Sequence, residues 1–216
     1  MTYRRELLDQ ALFEIQPAME GIILDVGGKK TNKRGAFQPD LTKYKNQVSW
    51  LYLNMEIKTC PDIYGDAHKL PVKSESIDCV VCCEVLEHVA DPFTCCAEIY
   101  RILKPGGLFV FSVPFIFPIH ADPYDFGRFT PERIRLMCKD FKSTSSRPMG
   151  AWLGTIGLLI ELSSQEINKN SIWTRQARKL VNGFGSALIA LEKKKTAGRF
   201  DENVKLTTGY FCTCYK

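Results

Sequence analysis

The residues of this chain most able to do chemistry gather in a few short stretches. Leu24-Asp25-Val26-Gly27-Gly28 is an apolar run that ends in a carboxylate and two glycines. Without Cβ atoms, such a turn lets a ligand lie against the main chain, though a plain tight turn needs the same residues. The continuation, Lys29-Lys30-Thr31-Asn32-Lys33-Arg34-Gly35, fits neither G-x-G-x-x-G nor G-x-x-x-x-G-K-[ST]. Further on, Asn54 and Glu56 stand two apart, on one face of an extended segment, where either could accept sugar hydroxyls or simply face water. Asp66 and Ala67 offer a carboxylate for an exocyclic amine and a backbone N–H for a ring nitrogen. An ordinary Asx turn would use the same two residues. Cys83-Glu84-Val85-Leu86-Glu87-His88 puts polar groups at the end of an apolar run. His88 there is either a general base near neutral pH or a local packing residue. The stretch 115–129 mixes aromatic rings with His120, Asp122, Tyr124, Asp125 and Arg128, a set suited to substrate recognition or to a packed Pro-rich loop. Arg128 would clamp an anion or pair with Asp125.

Regular elements must position these groups. Leu7, Leu8, Ala11, Leu12 and Ile15 recur at helical spacing within 4–19. Short apolar runs at 21–28, 49–56, 61–67, 77–86 and 107–115 read as strands. The run at 77–86 is apolar on both faces, as a central parallel strand requires. Residues 91–107 begin with an Asp cap and stop at Pro-Gly-Gly, so they read as a helix. Residues 130–140 read as another, with Thr130 as cap and Pro131 in the first turn. A strand is expected at 141–148, two helices within 151–195, and a closing strand at 207–216. Strands alternating with helices argue an α/β domain with a mostly parallel sheet.

Composition narrows the class. Of the residues, 45% are hydrophobic and 25% charged, which excludes wholesale disorder and fibrous classes. The net charge of +5 is uneven: residues 1–141 sum to −2 and residues 142–216 to +7. Nine cysteines, an odd number set mostly in apolar segments, read as reduced buried thiols of a cytoplasmic protein. The first twenty residues lack the apolar core of a signal peptide, and no apolar run is long enough to span a bilayer. Cys79-x-x-Cys82 has a metal-like spacing, but residues three apart on a strand face opposite sides and no second Cys/His pair matches. No metal site is expected.

Read together, LDVGG (24–28), DIYGDAHKLPVKSESIDCVVCCEVLEHV (62–89), Asp91-Pro92 and EIYRILKPGGLFVFSVP (98–114) resemble the class I S-adenosylmethionine-dependent methyltransferases. Within that class they look like the small-molecule group often labelled type 11. The resemblance covers about residues 20–140. It implies a Rossmann-like, mostly parallel seven-stranded sheet flanked by helices, with a helical insertion before the last strand. It implies S-adenosylmethionine as cofactor. Asp25, Gly27 and Gly28 match the glycine motif at the methionine end. A further family glycine is replaced by Lys29. Asn54 matches the ribose-binding acid, with Glu56 as substitute, and weaker cofactor binding than in relatives with Asp is expected. Asp66 and Ala67 match the adenine-contacting pair. Cys83 and Glu84 match residues flanking the methyl donor, and His88 a position near the substrate opening.

The sulfonium already activates the methyl group, so alignment can supply much of the catalysis. A base is needed only for a hydroxyl or protonated amine, with His88, His120 and Asp122 as candidates. Tyr124 and Arg128 are candidate acceptor contacts. Residues 1–149 and 201–216 form the expected core. Residues 150–200 are an insertion: a lid, a membrane-contact element with Lys193-Lys194-Lys195, or a packed helical pair. The acceptor is read as a small molecule, a sugar or surface-polysaccharide intermediate. The 114–134 segment also resembles a subgroup met near polysaccharide genes. The alternatives are a quinone-like or lipid acceptor, or a non-catalytic cofactor-binding protein. Peripheral membrane contact through 150–195 and a homodimer are both carried as partner readings. No nucleic-acid partner is expected, because no recognisable RNA-binding module accompanies the core.

Overall fold

The computed structural model describes residues 1–31, 35–39, 49–120, 123–167, 171–196 and 204–216. Five strands run parallel: β1 (Ile22–Val26), β2 (Ser49–Asn54), β3 (Ile63–Tyr64), β4 (Ile77–Cys83) and β5 (Leu103–Pro114). Two more, β6 (Ser143–Pro148) and β7 (Gly209–Tyr215), close the sheet. Its order is β3-β2-β1-β4-β5-β7-β6, with β7 antiparallel to both neighbours. The chain reverses direction of travel between β1 and β4, so a crevice opens at the carboxyl ends of those two strands.

The core alternates as the pleat requires. Leu24, Val80, Cys82, Phe109 and Phe111 belong to the core on one face; Ile23, Cys79, Val81, Leu108 and Val110 belong to the other. Cys79 and Cys82 therefore lie on opposite sides of the sheet. All nine cysteines are free, and burial raises Cys79 to about 12, the manner of an inert core thiol.

Helices α2 (Pro92–Ile102) and α3 (Pro131–Met137) cover the first face, and α1 (Tyr3–Ile15), α4 (Trp152–Ser163) and α5 (Ile172–Thr196) the second. Caps explain where they start. Thr2 accepts from the Arg5 N–H, Asp91 from the Phe93 and Thr94 N–H groups, and Thr130 from the Arg133 N–H. Helix α4 has no cap of its own. The buried Glu192 of α5 supplies it, accepting from Ala151 N and Gly154 N at 2.8 and 2.7 Å and from the Tyr3 hydroxyl at 2.5 Å. One carboxylate thus ties α1, α4 and α5 together. The two inserted helices pack closely because a Cβ on Gly157 would lie 2.6 Å from the Gly185 carbonyl oxygen.

Several boundaries differ from the sequence reading. Helix α1 stops at Ile15, where Pro17 opens a 3-10 turn. The strand expected at 61–67 shrinks to two residues, because Gly65 and Asp66 turn the chain. The helix expected to run to Gly107 ends at Ile102 and β5 begins directly. Leu103 pairs with Ile77, and the register then shifts, so that Leu108 pairs with Cys79 and Pro105-Gly106-Gly107 fall in the irregular stretch.

Candidate functional site

The glycine turn sits on top of β1. Gly27 has φ +77°, and a Cβ there would lie 2.4 Å from Val85 Cγ2; a Cβ on Gly28 would lie 2.3 Å from Asp25 Cγ. A side chain at either position would have to displace its neighbour, and at Gly27 the positive φ would strain it as well. The Gly27 N–H donates to the Leu53 carbonyl at 2.8 Å, joining the turn to β2. Asn54 then braces it: Nδ2 donates to the Gly27 and Gly28 carbonyls, each at 3.1 Å, and Oδ1 accepts the Glu56 N–H at 2.8 Å. Both amide donors of the residue aligned with the ribose acid are thus spent on the turn. Glu56 stays exposed, 3.5 Å from the Lys29 ammonium.

Asp66 lies past β3 in a turn. Its Oδ1 accepts both the His68 backbone N–H at 2.9 Å and the His68 ring nitrogen at 2.8 Å. The backbone N–H, seconded by the imidazole, holds this carboxyl below the ordinary aspartate value. Ala67 is buried beside it.

Beyond β4 the main chain turns sharply. Glu84 has φ +56°, an uncommon conformation for a residue with a side chain. Its carboxylate is held by Arg4 of α1, whose Nε and Nη2 donate at 2.9 and 2.6 Å, and by the Ser112 hydroxyl at 2.7 Å. Arg4 Nη1 also donates to Thr208 at 3.2 Å. Burial would raise the Glu84 carboxyl, but the Arg4 charge and these hydrogen bonds outweigh it and hold it ionised. Burial pushes the neighbouring Cys83 thiol up.

Next come Glu87, His88 and His120. Glu87 is fully buried, and among the described residues neither of its carboxylate oxygens has a hydrogen-bond partner. His120 Nε2 lies 3.6 Å from Glu87 Oε1 and His88 Nε2 lies 3.8 Å from it. The two imidazoles meet edge to face, with centroids 5.1 Å apart. Each ring is held from behind. His88 Nδ1 is 2.6 Å from the Tyr124 carbonyl; His120 Nδ1 is 3.3 Å from the Pro118 carbonyl and 3.3 Å from Asp125 Oδ2. The Phe126 N–H donates to the Glu87 carbonyl at 2.7 Å, which fastens the loop over the site. Arg128 is used up inside that loop: it grips Asp125 at 2.5 and 2.8 Å and donates to the Phe117, Pro118 and Gly127 carbonyls. Arg128 holds the Asp125 carboxyl far below its usual range.

The sequence-predicted residues thus form two linked groups at the carboxyl edge. Asp25, Gly27, Gly28, Asn54 and Glu56 line the turn between β1 and β2. Cys83, Glu84, His88, His120 and Tyr124 surround the end of β4, and Val85 touches both groups. Asp66 and Ala67 lie beyond β3. Asp122 falls outside the described residues. Sequence reasoning missed Arg4, Ser112 and Glu87. Arg4 and Glu84 lie 80 positions apart and carry no local signal of their pairing. Glu87 could have been found as the second carboxylate of the Cys83–His88 stretch, directly beside His88.

Known proteins resemble this chain in one sequence segment and in the fold. Residues 40–111 match the family model for a methyltransferase domain. A probable S-adenosylmethionine-dependent methyltransferase of Mycolicibacterium smegmatis is 39% identical over 51 residues, 24% of this chain and 20% of that protein. A ubiquinone biosynthesis O-methyltransferase of Pseudomonas fluorescens is 36% identical over 95 residues, 40% of this chain and 38% of that protein. The chain thus spans well under half the length of either curated relative. Among solved structures, a methyltransferase from Archaeoglobus fulgidus superposes with a TM-score of 0.57 at 15% identity, covering 98% of this chain and 94% of that one. Matched segment and fold point to one class: residues 40–111 are similar to a methyltransferase domain, and the whole chain shares the fold of S-adenosylmethionine-dependent methyltransferases. A [4+2]-cyclase shares the fold at a TM-score of 0.53 and 18% identity, covering 97% of this chain and 79% of that one, so the reaction must be argued from the site.

Proposed function

We propose that the protein transfers the methyl group of S-adenosylmethionine to a small-molecule acceptor. The observation that carries this reading is the bare glycine turn braced from β2. Gly27 and Gly28 leave main chain open at the crevice, and Asn54 fixes its shape with two hydrogen bonds of 3.1 Å. The methionine end of the cofactor would lie there, beside Asp25. With Asn54 engaged, the exposed Glu56 is the group assigned to the ribose hydroxyls. Asp66 Oδ2 is assigned to the adenine amine, and the Ala67 N–H to a ring nitrogen. Cys83 and Glu84 flank the methyl donor in this reading, Glu84 with its charge already matched by Arg4.

The acceptor is assigned to the loop 115–129. Tyr124 and Phe126 are exposed there, with ring centroids 5.7 Å apart, beside the polar edge of His88 and His120. Aromatic faces next to hydrogen-bonding groups suit a polyhydroxylated ring, which favours a sugar or glycan intermediate. A second reading has one observation behind it. Helix α5 exposes Trp173, Leu180, Phe184 and Leu191 on one flank and ends in Lys193-Lys194-Lys195. That face suits contact with an anionic membrane and delivery of an apolar acceptor.

Transfer of labelled methyl groups to hydroxylated sugars and to long-chain phenols separates these readings. Label in the sugars is the expected result. Label in the phenols only, together with flotation on anionic liposomes, would replace it with the second reading. Cofactor bound without transfer to either would point to a non-catalytic protein.

A further inference from the structure

The geometry around Glu87 points to a use that a methyl-transfer site does not require. We infer that Glu87, His88 and His120 form a binding site for a divalent transition-metal ion, with open coordination positions facing the acceptor loop. One oxygen or nitrogen from each residue lies within 4.8 Å of the others. Four-coordinate ligands about 2.1 Å from an ion stand about 3.4 Å apart. The 3.6 and 3.8 Å separations from Glu87 Oε1 to the two Nε2 atoms need only a few tenths of contraction.

An independent observation points the same way. Glu87 is 0% exposed, yet both of its carboxylate oxygens lack a hydrogen-bond partner among the described residues. A buried carboxylate with no donor is costly, and a cation held between it and the two imidazoles would offset that cost. The rings supply the rest. A carbonyl can only accept, so the Tyr124 carbonyl 2.6 Å from His88 Nδ1 puts the proton on that nitrogen and leaves the Nε2 lone pair facing Glu87. The Pro118 carbonyl and Asp125 carboxylate hold His120 Nδ1 from behind in the same way, so a bound ion would take the place of the Nε2 proton that otherwise faces Glu87. Metal-ligating histidines are oriented in this way, by an acceptor on the far ring nitrogen. The nearby cation Arg128 cannot take the ion's place, because Asp125 and three carbonyls hold it. Glu84 is likewise held by Arg4 and Ser112. Two imidazoles and one carboxylate with open positions suit zinc, manganese or ferrous ions better than calcium or magnesium.

The site stands on geometry alone; its use in the reaction rests on the methyl-transfer reading above. A coordinated acceptor hydroxyl would lose its proton to water more readily, as metal-bound oxygens do. Its oxygen pair would then form the bond to the methyl carbon, while the methyl–sulfur pair returns to sulfur and discharges the sulfonium. The ligand class implied is a small molecule with a hydroxyl able to reach the ion.

Titration of the metal-free protein with Co2+, followed by visible absorption and equilibrium dialysis, tests this. The expected result is one tightly held equivalent whose spectrum lacks a thiolate charge-transfer band. Glu87→Gln and His120→Ala should each weaken binding at least tenfold, while S-adenosylhomocysteine binding persists and Cys60→Ser changes nothing. Mn2+ and Zn2+ should displace the cobalt. No stoichiometric uptake by the wild-type protein would overturn the site, as would uptake indifferent to both substitutions or a thiolate band. Because the wild-type titration needs no variant, misfolding of a substituted protein leaves the outcome readable. Metal uptake without S-adenosylhomocysteine binding would keep the site and reject the reaction.

Discussion

Arg4 and Glu84 are joined by two hydrogen bonds of 2.9 and 2.6 Å, and this pair links the first helix to the end of the central strand. The guanidinium is almost entirely enclosed. Glu84 is held at φ +56°, so the same pair also fixes the sharp turn that leads to Glu87 and His88. The second face of the sheet is thereby connected to the site, because α1 also meets α4 and α5 through Tyr3 and Glu192.

Removing Arg4 should leave an uncompensated carboxylate in an enclosed position. Arg4→Met is expected to destabilise the fold by about 3–5 kcal/mol in urea unfolding. Adding Glu84→Gln should recover part of that loss, since the remaining amide carries no charge. A double variant no more stable than Arg4→Met would show that the guanidinium acts by packing alone.

Asn54→Asp tests the brace under the glycine turn. The family resemblance makes aspartate look like an improvement, but the carboxylate cannot donate to the Gly27 and Gly28 carbonyls. The substitution should raise the Kd for S-adenosylhomocysteine at least about tenfold, ~1.4 kcal/mol. Tighter binding would assign the ribose contact to residue 54 instead of Glu56.

For the far end of the ligand, Asp66→Ala should weaken S-adenosylhomocysteine by about 1–3 kcal/mol, the cost of an unmade hydrogen bond to the adenine amine. Unchanged affinity would leave Asp66 with only its turn-forming role to His68.

Asp78 gives the pH dependence its sign. Its carboxylate accepts the Ile22 N–H at 2.9 Å and the Lys104 ammonium at 2.8 and 2.9 Å, pinning β1 to β4 beneath the glycine turn. Burial would raise its pKa, but Lys104 and the N–H outweigh burial and lower it. A carboxyl whose folded value lies below the unfolded one, about 3.9, stabilises fully above that value. The stability is lost as pH falls through the folded value. Thermal melts of Asp78→Asn should therefore converge with wild type as pH drops below about 4, and lie beneath it at neutral pH. Parallel melting curves from pH 7 to pH 3 would assign the acid sensitivity to other carboxylates.

Much of the sheet was readable because it follows local rules. The apolar run of β4 fits burial on two faces, and Cys79 and Cys82 could be assigned to opposite sides from the strand period alone. The two inserted helices, the Asp91 and Thr130 caps and the closing strand were equally local. What could not be read came from distance. The pairing of Arg4 with Glu84 and the meeting of His88 with His120 depend on tertiary placement of α1 and the 115–129 loop. Asn54 shows a third kind of miss: its type suggested a ligand contact, whereas the fold spends its donors on two nearby carbonyls. The early start of β5 reflects strand pairing with Ile77 overriding the stop expected at Pro-Gly-Gly.

Calorimetric titration of the purified protein with S-adenosylhomocysteine tests the central claim most directly. The account predicts saturable binding at one site per chain, abolished by Gly28→Val, whose side chain would collide with Asp25. No heat of binding at millimolar ligand, or binding untouched by Gly28→Val, would contradict it.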